Sequence, residues 1–65
     1  MTIGEKIKSL RLERKLTIKE LSEKTKLSQV TINHYELNKV KPSLVSIQKL
    51  SVGLGCEFED LYKLL

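Results

Sequence analysis

The sequence predicts an all-α domain of five short helices, and three observations carry that reading. Side-chain caps open successive segments: Thr2 with Glu5 and Thr17 with Glu20 form capping-box pairs, and Ser28 and Ser43 stand as N-caps. Behind these caps apolar residues recur at helical spacing, as in Ile3, Ile7 and Leu10 or Ile47, Leu50 and Leu54. Pro42 and Gly55 fall between segments, where they punctuate helices.

The first helix starts at Ile3. Its inward stripe is Ile3, Ile7 and Leu10, with Lys6, Lys8, Arg14 and Lys15 mostly outside it. Leu16, just before Thr17, is placed to pack back on the second helix as a hydrophobic staple. The second helix runs about Ile18–Lys24, with Ile18, Leu21 and Ser22 on one face. Thr25-Lys26-Leu27 breaks the pattern, and Ser28 opens the third helix, Gln29–Glu36. Ser43 opens the fourth, with Leu44, Ile47, Leu50, Ser51 and Leu54 inward and Gly55 at its C′ position. The final segment, Glu57–Leu65, begins with the acids Glu57, Glu59 and Asp60, which suit a helix N-terminus. Phe58, Leu61 and Leu65 are spaced for burial, while Tyr62 and Leu64 lie partly off that stripe.

Sixty-five residues make one domain, residues 1–65, with one small core, for which a dimer interface would add buried surface. A single cysteine excludes an internal disulfide and fits a cytosolic setting. No stretch reads as a signal peptide or a membrane span. The formal charge of +4 is uneven: residues 1–49 hold eleven Lys or Arg against five acids, whereas residues 50–65 hold one lysine against three acids. Such a distribution suits a polyanion partner. An enzyme is not indicated. The only His and the only Cys lie on different elements, and no nucleophile–base set, phosphate loop, metal spacing or cofactor motif is visible.

The third helix separates two faces. Ile32 and Tyr35 point one way with Glu36 beside them; Val30, Asn33, His34 and Leu37 point the other, and Gln29 sits at the exposed N-terminal end. The outward face carries no charge, unlike an ordinary solvated helix face. Amides can read the major-groove edge of adenine, and an apolar branch can meet a thymine methyl.

Thr17–Glu36, together with I-G-E-K-I-K-S-L-R-L-E-R-K-L-T before it and K-P-S-L-V-S-I-Q-K-L after it, resembles the helix-turn-helix of the Cro/C1-type repressor family. The resemblance runs from about Ile3 to Leu61. It implies a compact five-helix, lambda-repressor-like fold in which the second and third helices form the helix-turn-helix. It assigns Gln29, Val30, Asn33 and His34 to base edges. Ser28 and Thr31 are assigned to phosphates. The start of the second helix, with Thr17 and Lys19, is a further phosphate site on physical grounds, since free N–H groups and the helix dipole there favour an anion. Lys39 and Lys41 flank an exit loop that contacts the DNA backbone in relatives. The resemblance also implies a structural pair between Arg11 and Glu36.

Five positions depart from the family pattern. Ile18 replaces a phosphate-binding glutamine, and Lys26 stands where a turn glycine is common. Tyr35 replaces tryptophan or leucine, with its hydroxyl expected near the surface. Leu37 replaces an asparagine that binds phosphate, which leaves Asn38 to take that role, and Cys56 fills a small apolar core position.

The function implied is a sequence-specific transcriptional regulator, cytoplasmic and nucleoid-associated, of prokaryotic or phage type. It would be a homodimeric repressor on a palindromic operator in double-stranded DNA. Rival readings are an antitoxin or restriction-controller type regulator with a protein partner, and a pure protein-interaction module that docks through the uncharged helix face. Neither a metal nor a cofactor is expected.

Overall fold

The computed structural model describes residues 1–65 and contains five helices and no strand. In order they are α1 (Ile3–Glu13), α2 (Ile18–Thr25), α3 (Gln29–Glu36), α4 (Leu44–Leu54) and α5 (Phe58–Tyr62). Both capping boxes form. The Thr2 hydroxyl accepts from the Glu5 N–H while the Glu5 carboxylate accepts from the Thr2 N–H, and Thr17 and Glu20 repeat the exchange. Ser28 and Ser43 cap α3 and α4 by accepting from the N–H three residues on.

The helix ends are closed by left-handed residues. Lys15 (φ 57°) and Asn38 (φ 60°) each follow a C-cap, and Gly55 (φ 66°) is the C-cap of α4. There the two N–H groups past the helix reach back to its last carbonyls, as Lys15 does to Leu12 and Leu16 to Arg11. Lys26 (φ 62°) closes α2 with one such bond, from its N–H to the Ser22 carbonyl at 2.8 Å. Helix α2 extends one residue beyond the expected Lys24, to Thr25. The Thr25 hydroxyl explains this. It donates to the Leu21 carbonyl and accepts from the Leu27 N–H, so the residue completes the helix and shapes the turn together.

One core joins all five helices: Ile3, Ile7 and Leu10 of α1, Leu21 of α2, Ile32 and Tyr35 of α3, Ile47, Leu50 and Leu54 of α4, and Leu61 of α5. Leu16, Ile18, Leu27, Cys56 and Leu64 pack against it from the edge. Burial also pushes the Cys56 thiol pKa up, as befits a filler at the core margin.

Four expectations are corrected. Leu44, the first residue of α4, is exposed because the helix rotates Ile47, Leu50 and Leu54 inward, and Ser46 is buried beside them. Phe58 and Leu65 are exposed, since α5 has only five residues and a single buried position, Leu61; Leu64 takes the edge contact given to Leu65. The Tyr35 hydroxyl is internal: it donates to Ser46 Oγ at 3.0 Å, tying α3 to α4.

Candidate nucleic-acid interface

Two helices of eight residues each, α2 and α3, are joined by Lys26, Leu27 and Ser28. The left-handed backbone at Lys26 turns the chain sharply enough for α3 to pack across α2. Leu21 and Ile32 are fully buried, with Leu27 packed against the core between them. The angle between the helices is thus fixed from below, while their other faces remain open.

On the open face of α3, Gln29, Val30 and Asn33 are exposed, His34 is half-buried, and Leu37 is exposed just past the helix. The only charged side chain of α3 that could spoil a neutral surface, Glu36, is buried. Arg11 holds it there, with Nε donating to Oε2 at 2.7 Å and Nη2 to Oε1 at 3.1 Å. Arg11 Nη1 donates in addition to the Leu16 carbonyl at 2.9 Å, immediately before the α2 cap. One guanidinium therefore links the end of α1, the start of α2 and the end of α3. The start of α2 and the end of α3 are thus held by the same group.

At the start of α2, Thr17 and Lys19 are exposed. The Thr17 and Glu20 N–H groups are spent in the capping box, which leaves those of Ile18 and Lys19 as the free donors of the first turn. Ile18 itself turns its side chain toward the core, which is why this position has no polar group to offer. At the start of α3 the Ser28 hydroxyl accepts from the Thr31 N–H and donates to Thr31 Oγ1 at 2.7 Å. The hydrogen of the Thr31 hydroxyl is then directed away from Ser28 and is available to an outside acceptor. Lys39 and Lys41 are exposed in the segment between α3 and α4.

Asn38 is engaged differently. Its Oδ1 accepts from the Gly4 N–H and its Nδ2 donates to Thr2 Oγ1, both at 3.0 Å. The side chain is a clamp between the exit of α3 and the start of α1, so only its second Nδ2 hydrogen is left for the phosphate contact expected of it. Sequence reasoning missed this clamp and the glycine that admits it. A Cβ at Gly4 would collide with the Tyr35 carbonyl oxygen and lie 2.6 Å from Asn38 Oδ1 and 2.7 Å from the Glu36 carbonyl oxygen. A glycine inside the first turn of a helix, where it lowers helix propensity, was the available signal.

A cationic rim of exposed lysines, free helix N–H groups and a neutral, polar-and-apolar protruding helix face together define a helix-turn-helix DNA-binding domain. The helix-turn-helix family profile matches residues 7–61, and the chain belongs to the Cro/C1-type helix-turn-helix family of DNA-binding transcription regulators. It is similar to the immunity repressor protein of Bacillus phage phi105, with 39% identity over 57 residues. That alignment covers 88% of this chain and 40% of the phage protein, so the chain spans well under half the length of that relative. No solved structure matches the chain. No helix is long and apolar enough to cross a membrane.

Proposed function

We propose that this chain is a sequence-specific repressor that binds a palindromic operator as a homodimer. The observation that supports this most is the exposed face of α3: uncharged, built of amide, imidazole and small apolar groups, and held in place through Glu36 by a buried arginine. Gln29, at the start of α3, reaches deepest into a major groove, and Val30, Asn33 and His34 read the adjoining base edges. Thr17 and Lys19 with the Ile18 and Lys19 N–H groups hold one stretch of phosphate, Ser28 and Thr31 another, and Lys39 and Lys41 a third. Two copies would place α3 in successive major grooves with half-site centres about 34 Å apart. The repressor sense draws on the similarity to a phage immunity repressor.

The test is fluorescence anisotropy on DNA from upstream of the chain's own gene and on a scrambled duplex, across a salt series. Selective binding that persists near physiological salt is the expected result. Weak binding, equal on both duplexes and lost as salt rises, would remove the operator reading.

A further inference from the structure

The segment that carries Lys39 and Lys41 from α3 to α4 has no bonds of its own to hold its shape. The N–H groups of Val40 and Lys41 have no backbone partner, and residues 39–41 are all exposed. Its course is therefore set by its two ends. The far end is fixed in the core: Pro42 is buried, Ser43 caps α4, and Ser46 accepts from the Tyr35 hydroxyl of α3. The near end is Asn38.

Asn38 stands at φ 60°, where glycine would serve the turn at no steric cost. The chain also closes α1 and α2 through left-handed residues, Lys15 and Lys26, whose side chains are exposed. At position 38 the side chain is put to use. Its carboxamide reaches back across 34 residues of sequence to α1, Oδ1 accepting from the Gly4 N–H and Nδ2 donating to Thr2 Oγ1. The Gly4 N–H is one of the first-turn donors that no carbonyl of its own helix can reach, so the amide completes α1 as it fastens the exit of α3. The space it occupies is the space a Cβ at Gly4 would need.

We propose that Asn38 is the positioning residue for the phosphate contact of Lys39 and Lys41. By fastening the chain to α1 at the point where α3 ends, it fixes the direction in which residues 39–41 leave. The two ammonium groups then meet the DNA backbone from a segment already ordered, and little conformational entropy is lost on binding. The inference rests on the DNA reading for the contact, and on the geometry alone for the fastening.

The experiment compares the wild type with Asn38→Gly and Asn38→Ala. Glycine removes the side chain without strain at this φ, and alanine removes it without glycine's added freedom. An effect common to both therefore belongs to the carboxamide. Amide exchange and NMR relaxation read the fastening without DNA. In both variants the Gly4 N–H is expected to exchange at least about tenfold faster, and the amides of residues 39–41 to lose order. Anisotropy on a duplex of arbitrary sequence, at low salt and well below the thermal midpoint, reads the contact, since phosphate binding needs no operator. Both variants are expected to bind about fivefold more weakly, and Lys39→Ala to lose less affinity in their background than in the wild type. A residue that only stabilised the fold would leave the effect of Lys39→Ala unchanged. Unaltered amides, unaltered affinity or additive losses would each overturn the role of Asn38. A wild type that binds DNA but selects no operator removes the operator reading and leaves this role standing. A wild type that binds no duplex removes both, with the amide data still telling a fastened segment from a loose one.

Discussion

Arg11 and Glu36 meet in the interior through two parallel hydrogen bonds, of 2.7 and 3.1 Å, although 25 residues separate them. Their side chains are 10% and 4% exposed, so water screens the pair little. Removing one partner strands the other charge. Arg11→Ala or Glu36→Ala is expected to destabilise the fold by about 3–5 kcal/mol, whereas replacing both by apolar residues of similar volume should cost much less than the two single losses combined. Urea unfolding of the two singles and the double checks this. Additive losses would show that the two groups act separately.

The open face of α3 and the exit loop should fail in different ways. Gln29→Ala is expected to lose roughly 1–3 kcal/mol of discrimination at particular base pairs. Lys39→Ala is expected to weaken every duplex alike and to lower the salt slope by about one unit. Anisotropy on the operator and on single-base variants separates the two, and equal losses on all sequences for Gln29→Ala would remove its base-reading role.

Gly4→Ala raises helix propensity, which by itself would stabilise α1 by about 1 kcal/mol. The new Cβ has no room against the Tyr35 and Glu36 carbonyls and Asn38 Oδ1. A net loss of about 1–3 kcal/mol is therefore expected, read as a lower thermal midpoint. A more stable protein would mean that the α1–α3 contact yields easily.

Lys15 holds φ at 57° to close α1, a conformation that disfavours any residue with a Cβ. Lys15→Gly is expected to raise stability by roughly 0.5–1 kcal/mol, the relief of backbone strain outweighing the extra freedom of the unfolded chain. The same urea curves would measure it.

The capping boxes make stability depend on acid. The Thr2 and Thr17 N–H groups, and after them the hydroxyls of the same residues, hold Glu5 and Glu20 below their ordinary value of 4.5. A carboxylate lowered in the folded state contributes stability that is whole above its unfolded value and is lost as pH falls through the folded one. Glu20→Gln should therefore flatten the decline of the thermal midpoint below about pH 4.5, with Glu5→Gln adding to it. An unchanged pH profile in the double variant would place the acid sensitivity elsewhere.

Much of this molecule is legible in its sequence because the signals are local. A capping box spans four residues, an N-cap bond reaches three along, and the inward stripes of α1 and α4 repeat within one helix. The neutral face of α3 is visible for the same reason: positions on one helix have a fixed angular relation. The failures cluster where that relation gives out. In α5 too few turns exist for a stripe to fix what is buried, and Leu64 rather than Leu65 meets the core. At Leu44 a helix start admits two rotations, and only packing against the other helices selects one.

By itself, then, the sequence determines the helices, their caps and the family's surface pattern, since each follows from forces acting within a few residues. Tertiary structure decides the rest. It turns the Tyr35 hydroxyl inward onto Ser46, engages Asn38 with Thr2 and Gly4, and leaves no room for a Cβ at Gly4 of α1. The physical reason is common to all of these. A buried polar atom must find a partner and a close contact must find space, and both conditions are set by residues far away in the chain that only folding brings near.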